Sequence, residues 1–422
     1  MNVVKVRKMI LPLILLMILS SCNIKYPEFA IAKLTVAVLK TEYALIDQMV
    51  EDFNRGNLNY KLQVEQFDTE SEKLEFIKSG ASDLVLFSNA HDGHKVRNFL
   101  KPLSRIDSIR NYRENIINFI STDNNLYSIP SPGMFYANAI SAEFEKNYFA
   151  YPDTIDELIT NVTDYYQVNP NAKPIHNIVG SNETKLVNSL LEVALPMFLY
   201  SVEGRYFINS YVLHNSKMSD DKYKEIWIDI FEKYKTLYDV GYYNLNDFKI
   251  SGDNVSDFEN GQYQSLEINP SSEIFNNIGN DKYSLKPFIG NDADQQWIAI
   301  KPMYYLSACQ NNHGNFNGIE TFVDYYVSPE NQNIIKYSMS ATNVPYFVSF
   351  FNNDSINKDT TKYSDLDSCV KRNHIIIADT FLDVFKNASG SLKDYIENKI
   401  DVNTLISQVD EIVFEEDLNH EN

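Results

Sequence analysis

In the first third of the chain, segments with a hydrophobic period of two residues alternate with segments that have helical spacing. Leu34, Val36 and Val38 stand at every second position, which is typical of a strand, and apolar positions from 45 to 53 recur at helical spacing. Three further elements follow in the same manner: a strand at 62–64, a helix ending at Ser79-Gly80 and an apolar strand at 83–87. The order strand–helix–strand–helix–strand predicts a parallel sheet with covering helices.

The rest of the chain mixes longer helical patterns with short strands. A run of eight apolar or aromatic positions between 223 and 238 lies on one helical face and ends at Gly241, where a helix-capping glycine is expected. By the same criteria we predict helices at 182–200, 221–240, 318–327 and 392–409, and strands at 263–268 and 296–300. The pattern therefore predicts an α/β protein throughout.

The stretch from 124 to 138 interrupts this regularity. Pro130, Pro132 and Gly133 break a short apolar segment before Phe135 and Tyr136, because proline fixes φ and removes a strand donor while glycine permits a bend. The stretch fits either a strand that crosses between two lobes or an ordinary edge strand followed by a turn.

The N-terminus has the pattern of a lipoprotein signal peptide. Lys5, Arg7 and Lys8 precede an apolar run at 9–19. The run ends in Leu19-Ser20-Ser21-Cys22, which resembles a bacterial lipobox, so we expect residues 1–22 to comprise the signal peptide and the lipidated Cys22. A plain membrane anchor is the alternative. Residues 23–32 are then a tether, and the chain is expected on the extracytoplasmic face of the cell membrane.

Charge and composition narrow the class of partner. The net charge of −20, which becomes −23 once the three basic residues of the signal peptide are removed, argues against a nucleic-acid partner. The 28 tyrosines and 25 phenylalanines suit packed surfaces and pockets with polar edges. Beyond Cys22 the only cysteines are Cys309 and Cys369, which either pair or remain as buried thiols.

Motifs for catalysis or metal binding are missing from the sequence. It contains no Gly-x-Ser-x-Gly, His-Glu-x-x-His or phosphate-binding glycine loop. His91 and His94 could share a helical turn, but the intervening Asp92-Gly93 favours a loop and no third ligand stands near. We therefore expect a binding protein without a metal or cofactor, although abundant carboxylates leave a glycosidase pair open.

Several segments together resemble one protein family. They occur in family order and are Ser79-Gly80-Ala81-Ser82-Asp83, Leu126-Tyr127-Ser128-Ile129-Pro130, Phe135-Tyr136-Ala137-Asn138, Tyr151-Pro152-Asp153-Thr154, Asp257-Phe258-Glu259-Asn260-Gly261 and Ser328-Pro329-Glu330-Asn331-Gln332. With the lipobox, this set resembles the extracellular solute-binding lipoproteins of ABC importers, of the sugar-binding family 1 with the periplasmic-binding-protein fold. One departure is the loop after the first strand, Leu39-Lys40-Thr41-Glu42, where many sugar binders carry a tryptophan.

The resemblance implies a class II, two-lobed fold in which each lobe is a mainly parallel sheet flanked by helices. One lobe would comprise 33–133 and 301–343 and the other 134–300 and 344–422, with return crossings near 297–300 and 342–347. It also implies a monomer that delivers a small solute, most often a saccharide or oligosaccharide, to ABC permease subunits. The alternatives are a sensor or interaction module of the same fold, and a secreted hydrolase.

Candidate ligand-binding residues follow from the strand ends and the crossings. Ligands of open α/β sheets bind at the carboxyl ends of strands, and such sites combine aromatic faces with a few polar groups. The candidates are Glu42, Asp68, Ser88, Asn89, Tyr136, Glu267 and Trp297. For the polar ones the alternative is a solvated loop residue, and for Tyr136 and Trp297 it is a packed ring between the lobes.

Overall fold

Two β-sheets, linked by short crossing segments, organise the chain. The computed structural model describes residues 31–44, 46–89, 92–93, 96–111, 121–122, 125–131, 133–178, 180–245, 254–268, 282–290, 296–310, 315–328, 331, 347–348 and 364–415. Cys22, His91, His94 and most of the predicted crossing at 342–347 lie outside these residues.

The described strands and helices alternate along much of the chain. The strands are β1 (Ala32–Leu39), β2 (Tyr60–Phe67), β3 (Leu84–Phe87), β4 (Leu100–Lys101), β5 (Ser121–Thr122), β6 (Asn125–Leu126), β7 (Ser128–Pro130), β8 (Gly133–Ser141), β9 (His176–Ile178), β10 (Ser265–Ile268), β11 (Tyr283–Lys286), β12 (Ile298–Pro302), β13 (Tyr305–Cys309), β14 (Phe347–Val348) and β15 (Ile375–Ile377). The α-helices are α1 (Lys40–Tyr43), α2 (Asp47–Gly56), α3 (Glu70–Lys78), α4 (Ala142–Asn147), α5 (Ile155–Val168), α6 (Asn182–Ala194), α7 (Val202–Val212), α8 (Lys224–Asp239), α9 (Asn254–Glu259), α10 (Phe316–Tyr326), α11 (Ser364–Lys371), α12 (Asp379–Lys386), α13 (Ser389–Ile396) and α14 (Val402–Glu415).

The first sheet has the strand order β2-β1-β3-β13-β4, and β7 also pairs with β13. β1 runs parallel to both β2 and β3, whereas β13 returns antiparallel to β3. Thr69 begins α3 with a capping box, since its hydroxyl accepts from Glu72 N and the Glu72 carboxylate accepts from Thr69 N. The strand–helix order predicted for residues 34–87 is confirmed.

The second sheet is built around β8. Its order is β15-β12-β8-β10-β9, with β11 and β14 also paired to β8. β12 is parallel to β15 and β10 is parallel to β9, but β8 runs against all of its partners, so the sheet is mixed. Together with the covering helices, the two sheets confirm the predicted two-lobed α/β class. They differ from the expected mainly parallel arrangement, because β13 in the first sheet and β8 in the second run antiparallel to every strand with which they pair.

Among the described residues, two segments carry the chain between the sheets. β7 pairs with β13 in the first sheet and β8 pairs with β12 in the second, so the proline-rich stretch links both. The return lies between β12 and β13, just beyond the predicted 297–300, because β12 stays paired with β8 as far as Pro302. Ser131 joins the two segments: its Oγ accepts from Met303 N at 3.0 Å and from Tyr304 N at 3.1 Å.

Some predicted elements differ from the structure. The single helix predicted at 392–409 is wrong, because Asn398 takes a left-handed conformation (φ 61°) that ends α13, and the Asp401 carboxylate then accepts from Thr404 N to start α14. The helix predicted at 182–200 changes at Leu195, next to Pro196, into a π-helical turn. The lobe boundaries given above remain a proposal.

Cys309 and Cys369 are free thiols, and both are buried. Burial raises the pKa of each thiol to about 12, which keeps both protonated and unreactive. The alternative of a disulfide between them is thereby excluded. Within the described residues, no helix combines the length and apolar character that crossing a bilayer requires.

We expect Gly133→Ala to destabilise the protein. A Cβ built on Gly133 would lie 2.5 Å from the backbone oxygen of Lys301, so β8 and β12 would have to separate where they enter the crossing. Overpacking of this kind costs about 1–3 kcal/mol. Urea unfolding of the mature chain measures the loss.

Gly390→Ala is the matched control for Gly133→Ala. No atom lies within 4 Å of a Cβ built at Gly390, which is exposed on α13. Alanine is favoured over glycine in a helix by up to about 1 kcal/mol, so this variant should equal or exceed the wild type in stability. Equal stability of Gly133→Ala and Gly390→Ala would contradict the close approach of β8 and β12.

Candidate ligand-binding cleft

The carboxyl ends of parallel strands from both sheets open toward the crossing segments. β1, β2 and β3 run parallel, and β3 ends beside the start of β13, with Phe87 opposite Tyr305. In the second sheet β12 and the parallel β15 end where β8 begins. Open α/β sheets bind ligands at this edge, so we take the space at these strand ends as the candidate cleft.

Tyr136 lies in the first half of β8, opposite Ala299 of β12. Its side chain is half-buried. Burial raises the pKa of Tyr136 above its usual value, and the nearby carboxylates of Glu267, Asp379 and Asp383 raise it further. The phenol therefore stays protonated and stands near several carboxylates that a ligand could contact.

Asp383 on α12 has a strongly raised pKa. Burial, assisted by the neighbouring Asp379 and opposed by the nearby Lys301, raises the pKa of Asp383 from 3.8 to about 7. Its Oδ2 is buried without a hydrogen-bond partner among the described residues. A buried carboxylate oxygen that lacks a donor is costly, and a ligand hydroxyl could supply that donor.

Charged groups attached to both sheets lie near Asp383. Asp92, which is helical together with Gly93 where the sequence favoured a loop, also raises the pKa of Asp383 on α12. Asp379 on α12 in turn raises the pKa of the buried Tyr305 at the start of β13, after burial itself. Asp92 and Tyr305 from the side of the first sheet thus lie near Asp379 and Asp383 from the side of the second, with Tyr305 and Asp379 fully buried at this contact.

Glu42, a predicted ligand contact, is instead bound within the first sheet. Its Oε2 accepts from Leu39 N at 2.7 Å and lies 3.3 Å from Lys73 Nζ. Lys73 is fully buried and also donates to Leu86 O at 2.7 Å and pairs with Glu70 at 2.9 Å. Glu42 therefore holds the end of β1 to the buried ammonium group.

The three predicted loop residues have different surroundings. Asp68 is exposed and pairs with Lys40 Nζ at 2.6 Å, and Ser88 is exposed after β3. Asn89 Oδ1 accepts from Asp92 N at 2.8 Å, which fixes the position of Asp92. Of the three, Asn89 has the clearest structural link to the cleft.

Glu267 belongs to a buried polar network on the second sheet. It accepts from Asn188 Nδ2 at 2.9 Å, and burial together with Glu192 raises its pKa well above the usual range. Glu192 in turn contacts His176 Nε2 at 3.2 Å and accepts from Tyr243 OH at 2.5 Å. Glu267 sits opposite Asn138, two residues further from the crossing than Tyr136.

Trp297 is packed rather than exposed at a crossing. It precedes β12, and its ring stacks on His374 with centroids 4.9 Å apart. The ring is 8% exposed, and its Nε1 has no hydrogen-bond partner among the described residues. The alternative of a packed ring describes Trp297 better than a stacking platform at the crossing.

Sequence reasoning missed Asp379, Asp383, Lys301 and Tyr305 as cleft residues. The signal for Asp379 was present, because Ile375-Ile376-Ile377 is a short apolar run and Asp379 follows its carboxyl end. Metal binding has no support in the described part of the chain, where no group of three or more histidine, cysteine or acidic side chains suits a metal ion.

Comparison with known proteins gives a family and a fold. A family model described as bacterial extracellular solute-binding protein matches residues 48–361. A search of curated protein sequences found no match. The family's described role is solute binding rather than catalysis, in agreement with the prediction that the chain is not an enzyme.

Solved structures with the same fold include three bacterial binding proteins. A family 1 extracellular solute-binding protein from Bifidobacterium longum subsp. infantis aligns with TM-score 0.70 and 14% identity over 90% of this chain and 98% of its own. The sugar-binding protein MalE from Xanthomonas citri aligns with TM-score 0.66 and 13% identity over 93% and 100%. RafE from Streptococcus pneumoniae, in its apo form, aligns with TM-score 0.62 and 14% identity over 90% and 97%. A structure of RafE with raffinose aligns at TM-score 0.56 and 14% identity, over 89% and 98%.

We expect Lys73→Ala to be strongly destabilising. Removing the buried ammonium group leaves Glu42 buried without its cation, and breaking a buried ion pair costs about 3–5 kcal/mol. Lys73→Met, which keeps the stem and fills the space, separates loss of charge from loss of packing and should also destabilise. Chemical unfolding measures both.

Lys78→Ala is the control for Lys73→Ala, since Lys78 forms a comparable pair with Glu75 at 3.0 Å but is 44% exposed. An exposed pair of this kind contributes less than about 1 kcal/mol. A loss at Lys73 no larger than that at Lys78 would contradict the role assigned to the buried ammonium group.

We expect Asp383→Asn to change the pH dependence of stability. The folded-state pKa of Asp383 is raised, so between its unfolded value and about 7 the folded state binds the extra proton. Stability therefore falls as pH rises through this window. Asp383→Asn should raise the melting temperature clearly at pH 8 and by less at pH 5, which lies inside the window.

Asp156→Asn serves as the control for this pH series, because Asp156 is an exposed acid paired with Lys233 on the protein surface. It should shift the melting temperature by the same amount at pH 5 and pH 8. If Asp383→Asn behaved in that same way, the raised pKa of Asp383 would be refuted.

Proposed function

The chain belongs to the bacterial extracellular solute-binding proteins, and from that premise we propose that it captures a small saccharide or oligosaccharide and delivers it to an ABC permease. The observation that carries the proposal is the set of Tyr136, Asp379 and Asp383 at the strand ends that face the crossings. The fold similarity to MalE and RafE, one of whose structures holds raffinose, supports a saccharide ligand.

The chemistry of the cleft suits a neutral polyhydroxylated ligand. A tyrosine ring offers an apolar face for the C–H side of a sugar ring together with a hydroxyl for hydrogen bonding. Carboxylates such as Asp379 and Asp383 accept hydrogen bonds from ligand hydroxyls, and hydrogen bonds to charged groups are stronger than those between neutral groups. Lys301, whose charge lowers the pKa of Asp383, can supply a donor.

Ligand capture would proceed by hinge closure. The two described crossing segments join at Ser131, and rotation about this point would open and close the contact of Asp92 and Tyr305 on one side with Asp379 and Asp383 on the other. A ligand that contacts both sides shifts the equilibrium toward the closed form. In this mechanism the lobes are those proposed from the sequence, 33–133 with 301–343 and 134–300 with 344–422.

The chain would remain at the cell surface through a lipid on Cys22. Residues 1–22 have the signal-peptide pattern with a lipobox, and the tether at 23–32 would place the first strand close to the membrane and to the permease. Lipid anchoring supports transport because it keeps the loaded protein near its acceptor.

We expect Tyr136→Ala to weaken saccharide binding at least tenfold, because the stacked face and the hydroxyl are lost together and each tenfold corresponds to about 1.4 kcal/mol. Titration calorimetry of the mature chain with maltotriose, raffinose, xylotriose and chitotriose measures the change. Tyr206→Ala is the control, since Tyr206 is 63% exposed on α7 and should leave the affinity unchanged.

The saccharide proposal would be overturned if none of these oligosaccharides bound the wild-type chain. In that case the sensor or interaction module of the same fold becomes the better account. Turnover of any of the sugars, abolished by Asp379→Asn, would instead indicate the hydrolase.

We expect Cys22→Ala to release the protein from the membrane fraction of expressing bacterial cells, because the acyl chains cannot be attached. Detergent phase partition of cell extracts measures the anchored share. Cys369→Ala, which removes a buried thiol, should leave the protein anchored. Full membrane retention of Cys22→Ala would show that another segment anchors the chain.

A further inference from the structure

A second groove opens on the second sheet, away from the cleft. It has a volume of about 600 Å³ and is bordered by β8, α4, α5, α9 and β11. Six aromatic side chains line it: Phe144, Tyr148, Tyr165, Phe258, Tyr263 and Tyr283. Its volume falls within the range of about 300–1,000 Å³ typical of small-molecule sites.

The groove is distant from the cleft. β8 runs from Gly133 at the crossing to Ser141, which lines the groove. Tyr136 lies five residue steps of about 3.3 Å from Ser141, which makes their separation along β8 about 16 Å. Because successive side chains of a strand point to opposite faces, the odd spacing also places Tyr136 and Ser141 on opposite faces of the sheet, so the two sites can be tested separately.

The aromatic rings form two groups at the groove. In one group Phe144 lies 6.3 Å from Tyr148 and 5.3 Å from Tyr165, as measured between ring centroids. In the other, Phe258 lies 4.9 Å from Tyr283. Tyr148 is 63% exposed, so one ring face is available to a ligand without rearrangement of the core.

Backbone hydrogen bonds hold the groove in place. Ser141 N donates to Gln264 O and Ala142 N donates to Lys282 O, both at 2.9 Å, so β8 is tied on both sides where α4 begins. Ser141 Oγ accepts from Phe144 N at 3.3 Å and caps α4. The rings therefore stand on a preformed surface, which lowers the ordering cost of binding.

The polar side chains at the groove carry both signs of charge. Glu143 and Glu259 are exposed and offer acceptors, whereas the exposed Lys282 offers donors and Gln264 offers both. An anionic ligand would meet the two glutamates, and a cationic ligand would meet Lys282. A neutral ligand with many hydroxyl groups can use every one of these side chains.

We propose that this groove is a second saccharide-binding site, which takes a neutral oligosaccharide segment on the tyrosine rings with its hydroxyl groups bonded to Glu143, Glu259 and Lys282. The site is independent of the cleft and goes beyond the proposed delivery function. Because the groove and the cleft lie on the same protein, a longer glycan could bind at both. Binding at one site would then raise the effective concentration of the glycan at the other.

The test separates the two sites by substitution. Maltotriose, raffinose, xylotriose and chitotriose are titrated into the mature Tyr136→Ala chain, and binding is followed by saturation-transfer difference NMR. We expect at least one of these oligosaccharides still to bind the Tyr136→Ala chain and to show saturation-transfer signals from its C–H groups. Adding Tyr148→Ala to Tyr136→Ala should then weaken that binding at least tenfold, whereas adding Tyr206→Ala, of equal 63% exposure, should leave it unchanged.

Each remaining outcome decides one proposal. If Tyr136→Ala alone abolishes all saccharide binding, the groove proposal is overturned and the cleft proposal stands. If Tyr148→Ala removes binding in the wild-type background and Tyr136→Ala does not, the groove stands and the cleft assignment fails. Choline, titrated in parallel, probes the cationic alternative: if it binds at Tyr148 and none of the oligosaccharides does, the saccharide assignment is overturned.

Discussion

The hydrogen bonds of Ser131 to the returning segment are the constraint on which both sheets depend. Its Oγ accepts from Met303 N and Tyr304 N, and its own N–H donates to Tyr304 O at 2.8 Å. On one side of this point β7 pairs with β13, and on the other β8 pairs with β12. The two segments can therefore twist relative to each other while their register is kept on both sides. A side chain one carbon longer at Gly133 would not fit beside β12, so the sequence is restricted at this place by backbone contact.

The buried carboxylates around the crossing differ in the groups that compensate their negative charge. Glu42 has a buried ammonium partner and a backbone donor, so its charge stabilises the end of β1. Burial and the like charge of Asp379 raise the pKa of Asp383, and its Oδ2 has no donor among the described residues. Burial of a carboxylate without full compensation lowers stability, and such cost concentrates at functional sites. From this contrast we infer that a ligand would add the most stability on the Asp383 side of the crossing, where it could supply the missing hydrogen-bond donor.

Local patterns predicted the three parallel strands of the first sheet well because these strands and their helices alternate within some fifty residues, from Leu34 to Phe87, and each carries its own period. The candidate cleft was harder to predict. Tyr136 lies near the crossing from which it was proposed, whereas Asp379 and Asp383 come near it only because the three-residue β15 pairs with β12, which is distant in sequence. The packing of Trp297 could not be predicted, because the position of a ring depends on the partner beneath it, here His374. The interruption at Asn398 lies in a single backbone angle that hydrophobic periodicity does not record.

The order in which the strands of the second sheet appear along the chain has a kinetic consequence. β8 is made early, yet its neighbours β10, β12 and β14 come from residues beyond 264, and the sheet edge β15 from residues beyond 374. Pairings between such distant segments form slowly, because the entropy cost of closing the intervening loop comes before the stabilising contacts form. Among the described strands, β8 therefore has no partner until the chain has been made as far as Ser265, more than 120 residues beyond Ser141. In a chain that crosses a membrane before it folds, this delay keeps the polypeptide unfolded during export. The two buried thiols remain free, so folding requires no oxidation step afterwards.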